Sequence, residues 1–354
     1  MDDLPGATRS NRFSRTMRSK RVLSGAGNPA LRALADSAPS DESSGGTCSH
    51  ASMARCRIIY YRMEPDGQHQ PPDASSASVA TTTVDTVADY INVAKALRDE
   101  WRRDGSPMTW HPWFRGQPNT DWPLTPGILR TLPKRSKRAV REDLREELVL
   151  RQEFERRGRQ LSTEQPQNCW EWYFLMQHYG VPTRLLDWTD GALIALYFAV
   201  RPRSKEEGAT RADSAVWVID PWYLNAARRG ISYEPRVEEG VLSPAQVPRE
   251  YFPLTEEDLC GMPSDPIAVH PPQMARRLAV QRSRFILFGA DPTGIETVMG
   301  GDRRFHKIIM RQYSLRSMFW DLQTCGISQS TLFPDLEGLG SELRRAWKTG
   351  SVWG

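Results

Sequence analysis

Residues 177–189 read Gln-His-Tyr-Gly-Val-Pro-Thr-Arg-Leu-Leu-Asp-Trp-Thr. Three elements meet in this stretch. Trp170, Phe174 and His178 recur every fourth residue, so a helix beginning near Asn168 runs into it. Gly180, with Pro182 beyond it, stops that helix. Residues 183–188 are short and apolar, as a strand is. Ala192, Leu196 and Ala199 then restore the helical period, with Thr189 or Asp190 as the cap. Helix, strand and helix in such close succession imply a sheet with helices packed on it.

The same reading extends outward. Val87, Ile91, Ala94 and Leu97 mark an amphipathic helix. Residues 109–117, Thr-Trp-His-Pro-Trp-Phe-Arg-Gly-Gln, read as a strand ending at Gly116. Val140, Leu144 and Leu148 lie four apart among charges, which predicts a surface helix running to about Arg157. Residues 215–219 are apolar on both parities and read as a central strand covered on both faces. Residues 225–275 are Pro-rich and read as irregular. Residues 285–288 and 307–310 read as two more strands, and residues 314–325 and 339–347 as helices. The expectation is an α+β fold, a mixed sheet flanked by helices, over residues 83–347. Residues 1–80 are rich in Ser, Arg, Ala and Gly and are expected to be a disordered leader, with a short apolar island at 57–62.

Composition narrows the function classes. Of the 354 residues, 39% are hydrophobic and 25% charged, which excludes a collagen, a coiled coil and wholesale disorder. The longest apolar run, residues 192–200, falls far short of the ~20 residues of a membrane-spanning helix. The net charge of +4 comes entirely from residues 1–21, where Arg9, Arg12, Arg15, Arg18, Lys20 and Arg21 face only Asp2 and Asp3. The remaining chain is balanced, so generic binding to a phosphate backbone is not implied. Nucleic acid stays a lesser possibility, through the basic stretch from Lys134 to Arg159. The five cysteines form no C-x-x-C pair, which points to reduced thiols and a cytoplasmic setting rather than a zinc or disulfide framework. The six histidines are scattered, and no metal site is expected. No P-loop, dinucleotide fingerprint, H-E-x-x-H or G-x-S-x-G motif is present.

Two segments carry candidate chemistry. In residues 113–117, Trp-Phe-Arg-Gly-Gln, an arginine at a strand end beside a glycine suits bidentate capture of phosphate or carboxylate. The ligand-binding candidates there are Arg115, Gly116 and Gln117. The alternative is an arginine paired to a buried aspartate, holding a turn. In the second segment the candidates are His178, at a helix C-terminus that favours the imidazolium, with Arg184, Asp187, Trp188 and Thr189. Thr189 stands before a helix N-terminus, a natural anion site. The structural alternative makes His178 a helix cap, pairs Asp187 with Arg184 or Arg115, and leaves Thr189 as an N-cap. Of the 12 tryptophans most are expected in the core, and one or two as a stacking wall.

Together these segments resemble the FRG domain, named for a Phe-Arg-Gly motif found here as Phe114-Arg115-Gly116. The second block of that family is similar to Gln177-His178-Tyr179-Gly180, Pro182 through Thr189, and Ala195-Leu196-Tyr197-Phe198-Ala199. A third, weaker block resembles Arg277, Gln281 and Phe285, although the family usually has Gly just after the Gln, where this chain has Arg282 and Ser283. Leu332-Phe-Pro-Asp-Leu336 resembles the family's tail. The family occurs mainly in bacteria and their phages. The order of motifs is also similar to mono-ADP-ribosyltransferases of the Arg-Ser-Glu type, whose sheet is split. That similarity implies NAD as a substrate rather than a cofactor, and an effector in a bacterial defence or toxin setting. Arg115 would hold the dinucleotide phosphates, Thr189 would buttress the nicotinamide ribose, and Gln281 would stand where those enzymes have a glutamate. An amide cannot replace a carboxylate at an oxocarbenium-like centre. The acid would then be Asp187 or Glu296, or the protein binds a nucleotide or phosphorylated small molecule without turnover.

Overall fold

The computed structural model describes residues 78–103, 111–130, 137–162, 166–202, 212–227, 240–271 and 280–349. The leader through residue 77, the 57–62 island, Trp110, Lys134 and Arg277 lie outside the described residues. The fold is α+β, and the described residues form seven strands in one mixed, open sheet. In chain order the strands are β1 (Ala80–Val84), β2 (Trp113–Gln117), β3 (Leu185–Thr189), β4 (Ser214–Ile219), β5 (Ile267–Val269), β6 (Ser283–Leu287) and β7 (Phe305–Met310). Across the sheet they run β1-β7-β4-β2-β3-β6-β5. Only β1 and β7 are parallel, and every other neighbouring pair is antiparallel.

The helices are α1 (Val87–Arg103), α2 (Lys137–Gly158), α3 (Cys169–His178), α4 (Ala192–Val200), α5 (Pro221–Ala226), α6 (Gly294–Met299), α7 (Leu315–Thr324), α8 (Gln329–Leu332) and α9 (Leu336–Thr349). One face of the sheet packs on α1, α4 and α7, through Tyr90, Trp101, Leu196, Tyr197, Met318 and Leu322. The other face buries Trp113, Leu186, Trp188 and Trp217 under the 124–129 turn, α2 and α6. A third cluster joins α3 to β5 and β6 through Phe174, Tyr251, Phe285 and Leu287. All six residues of β4 are buried, as expected of a central strand whose apolar residues occupy both parities.

Several details depart from the sequence reading, and residues 267–269, inside the stretch read as irregular, form β5. β1 is a run of threonines ending in Val84, polar enough to read as leader, yet it takes an edge position beside β7. The helix from Lys137 is the surface helix expected, with Val140, Leu144 and Leu148 inward and Arg141, Arg145 and Val149 exposed, but its inner face also buries the charged Asp143, Glu147 and Arg151. The N-cap of α4 is Gly191, not Thr189 or Asp190. The Thr189 Oγ1 accepts from the Gly191 N–H at 3.0 Å and donates to the Gln281 carbonyl at 2.8 Å, so the hydroxyl ties the strand end to β6.

Candidate functional site

β2 and β3 meet in a single register pair, Phe114 with Thr189. Beyond that pair the two strands part, while β2 continues along β4 and β3 along β6. A cavity of about 430 Å³ opens at the parting. The strands contribute Phe114, Arg115, Gly116, Asp187, Trp188, Thr189, Ser283 and Phe285 to its lining. Gln281 comes from just before β6, Gln177, His178 and Gly180 from the end of α3, and Ala195 and Phe198 from α4.

Local sequence explains why these walls stand where they do. α3 begins at Asn168, whose side chain accepts from the Glu171 N–H. It ends in a Schellman turn, with Val181 N–H bonded to Met176 O at 3.2 Å and Gly180 N–H to Gln177 O at 3.0 Å. Gly180 has φ +75°, a conformation glycine adopts without strain. α4 rests directly on β2 at Gly116, where an added Cβ would lie 1.9 Å from the Ala195 carbonyl oxygen. The glycine of the Phe-Arg-Gly motif therefore serves close packing of helix on strand.

Arg115 reaches across the parting. Its Nη1 donates to the Asp187 carbonyl oxygen at 2.5 Å, an acceptor that a continuing β2–β3 ladder would have occupied. Asp187 is the exposed residue of an otherwise buried strand, and its carboxylate opens onto the cavity. Its Oδ2 accepts from Gln177 Nε2 at 2.9 Å, and Gln177 Oε1 in turn accepts from Thr183 Oγ1 at 2.5 Å. Gln281 turns its amide to the C-terminal block, donating to the Leu332 carbonyl at 3.1 Å. Phe114, Phe198 and Phe285 supply apolar ring surface.

The candidates divide accordingly. Arg115, Gly116, His178, Asp187, Trp188, Thr189 and Gln281 line one cavity. Arg184 and Gln117 do not. Arg184 is fully buried, and its Nε pairs with Glu147 Oε2 at 2.6 Å. Its remaining nitrogens donate to the Phe288 and Tyr251 carbonyls at 2.9 and 2.8 Å, so it fastens β3 to α2 and to the segment around Tyr251. Gln117 is buried, accepting from Trp217 Nε1 at 2.7 Å. Glu296 is not a lining residue either. It accepts from the Leu124 N–H at 3.3 Å, and burial raises its carboxyl above the ordinary range. Of the structural alternatives, the Asp187–Arg115 contact is present, through the backbone carbonyl.

Gln177, Phe198, Ser283 and Phe285 had no assigned role. The first two sit inside the quoted blocks, and Phe285 pairs with Asp187 across β3 and β6. A period-2 projection from Asp187 would have found Phe285 once the register was known.

Arg282, between Gln281 and Ser283, has φ +49°. This is the left-handed region that favours glycine, at the position where the third block usually has one. The side chain pairs with Asp190, which also binds Arg284 Nη2 at 2.5 Å.

Among the described residues, no helix is long and apolar enough to cross a membrane. No curated protein and no solved structure gives a significant match to the chain. A family model does match, over residues 111–208, which span β2 to the end of α4 and hold Arg115, Asp187 and Thr189. Its description is the FRG domain, and the chain carries an FRG domain across that region.

Proposed function

We propose that the cavity binds a nucleotide of the NAD type and that the protein transfers its ADP-ribosyl group. The observation that supports this reading is positional. Arg115 in β2, Thr189 in β3 and Gln281 just before β6, matched only by order along the chain to the Arg-Ser-Glu pattern, line one cavity where neighbouring strands meet. Arg115 would take the phosphates, as a planar guanidinium suits. Phe114, Phe198 and Phe285 offer faces for the nicotinamide ring. Thr189, held by Gln281 O, would sit beside the ribose.

Asp187 is then the carboxylate of the reaction, because Gln281 is an amide and Glu296 is elsewhere. In the transfer, the bond between nicotinamide nitrogen and ribose carbon breaks. Nicotinamide leaves neutral with the bonding pair. A nucleophile's lone pair forms the new bond to the ribose carbon, and its proton passes to Asp187. The carboxylate also offsets positive charge developing on the sugar. Gln177 and Thr183 orient it. A second reading, capture of the nucleotide without turnover, is favoured by the amide at Gln281.

A thermal-shift panel tests both, with NAD, ADP-ribose, ATP, GTP and short oligonucleotides on wild type and Arg115→Ala. A ligand at a hundredfold excess over its Kd stabilises by about 2.7 kcal/mol. Stabilisation by NAD or ADP-ribose that vanishes in Arg115→Ala supports the pocket. Nicotinamide release that Asp187→Asn abolishes supports transfer, and binding without release supports the second reading. No response to any nucleotide removes both. The nucleic-acid reading draws less support from α2 and the residue after it, where Arg145, Arg156 and Arg159 pair with Glu256, Glu153 and Glu155.

A further inference from the structure

The C-terminal helix α9 is docked on its polar side. Gly338 sits against the Phe333 carbonyl, where a Cβ would come within 2.1 Å. Glu342 accepts from the Ser330 N–H at 2.6 Å and from Ser328 Oγ at 3.0 Å. Arg345 donates to Gln329 Oε1 at 3.3 Å, with its guanidinium 5.7 Å from the Phe319 ring centre. The apolar side faces away from the domain. Leu336, Leu339, Leu343 and Trp347 are 87%, 42%, 51% and 73% exposed. At 100° per residue these four fall within an arc of about 80°. An amphipathic helix ordinarily turns such a stripe to the core, and four large apolar side chains left in water mark an interaction surface.

We propose that this stripe pairs with the same stripe of a second copy of the chain, the two helices antiparallel about a two-fold axis near Ser341. Two features of the helix select this occupant. The spacing is self-complementary, because reversal about Ser341 sets Leu339 opposite Leu343 of the second copy and Leu336 within one residue of Trp347. The charges are too. One flank of the stripe carries Glu337 at its start and Arg344 and Lys348 at its end. In an antiparallel pair that flank meets itself reversed, so Glu337 faces Arg344 and Lys348 of the second copy, twice by symmetry. Parallel pairing sets the flank against the other side of the stripe, which offers no cation to Glu337. Gly340 lies beside the axis with nothing within 4 Å of its Cβ position, which lets the two backbones approach closely.

Sedimentation of the full chain over a range of concentrations tests the proposal. A concentration-dependent dimer is expected. Leu339→Glu with Leu343→Glu should raise its dissociation constant roughly 100-fold or more, through like charges at the contact. Because both side chains are exposed, the melting profile of the monomer should hold. Glu337→Lys should weaken the dimer, and adding Arg344→Glu and Lys348→Glu should restore it, as only the antiparallel register allows. A chain that stays monomeric throughout overturns the proposal, as does a dimer indifferent to the leucine substitutions. Binding of a monomer to vesicles of anionic phospholipid, lost in the leucine variant, assigns the stripe to a membrane instead and also overturns it.

Discussion

Replacing Arg184 by Met distinguishes a fastening arginine from a ligand-binding one. The guanidinium is completely buried and donates to Glu147 Oε2 at 2.6 Å, to the Phe288 carbonyl at 2.9 Å and to the Tyr251 carbonyl at 2.8 Å. Methionine fills much of the same space, so the loss is electrostatic rather than a cavity. Glu147 would keep only the Arg184 N–H and the Tyr173 hydroxyl. It would remain a buried carboxylate without its hydrogen-bonded cation, with Arg151 one turn on attracting it only through space, and two carbonyls would lose a charged donor. Breaking one side of a buried pair costs about 3–5 kcal/mol. For a domain of this size each kcal/mol lowers the melting temperature by roughly 2–4 °C, so a fall of about 6–20 °C is expected by calorimetry. Arg184→Met with Glu147→Leu removes both charges and should recover part of that loss, as apolar replacements of buried pairs do. Should Arg184→Met melt within 2 °C of wild type while losing affinity for NAD, the fastening role is wrong and Arg184 belongs with the ligand groups.

Other consequences are equally specific. Gly116→Ala should cost about 3 kcal/mol or prevent folding, because its Cβ meets the backbone of α4 at Ala195 and Ala199. Gly180→Ala meets nothing and should cost only about 1 kcal/mol for its positive φ. Equal losses in urea titrations would refute the packing argument. Burial pushes the imidazoles of His270 and His306 below their usual range, with Arg284 adding to the effect at His270. The unfolded chain then takes up protons before the folded one, so stability is full above about pH 6.5 and falls below it. Melting temperature should drop between pH 7.5 and 5.5. Glu296 acts in the opposite sense, so a His270→Gln, His306→Gln variant supplies the control. A drop that persists in that variant would exclude the histidines. Arg282→Gly relieves a left-handed residue worth ~1–2 kcal/mol, gives up the half-exposed one of two arginines on the buried Asp190 carboxylate, worth ~0–1 kcal/mol since Arg284 remains, and adds chain entropy of ~0.4–1 kcal/mol. The terms nearly cancel, and a change above about 2 kcal/mol either way would refute that balance.

The elements legible in the sequence were those whose periodicity coincides with burial. α1, α3, α4 and β4 carry apolar residues at helical or continuous spacing, and all four lie where that spacing places them. β1 was obscured because threonine serves a strand edge and a polar tail equally well. β5 has three residues inside a Pro-rich stretch, too few for a period to emerge. Arg184 and Arg115 look alike in sequence, each an arginine in a short segment that reads as a strand. Their fates differ because Glu147 comes from a helix 37 residues away, a contact that no local pattern encodes. Gly116 was assigned an open backbone beside a ligand, whereas the neighbour that requires glycine there is α4.

The contrast between the two arginines bears on how the cavity can work. Arg184 satisfies three buried oxygens, and no incoming group could take it without leaving those oxygens desolvated. Arg115 holds the Asp187 carbonyl at the edge of a cavity, where β2 and β3 have already separated. If an anion draws the guanidinium away, that carbonyl is left at a wet site rather than in the core. A hydrogen bond from a charged guanidinium to a carbonyl is worth about 1.5–3 kcal/mol, whereas a phosphate offers two parallel bonds in which both partners are ionised. The exchange therefore runs in favour of the ligand. It also acts on the backbone of the residue whose carboxylate faces the cavity, since Arg115 grips Asp187 by its carbonyl while Gln177 grips it by its side chain. On the proposed function, phosphate capture by Arg115 and the placement of Asp187 would be coupled through one residue. The parting of two strands supplies the space, and the same parting leaves the carbonyl through which the two groups communicate.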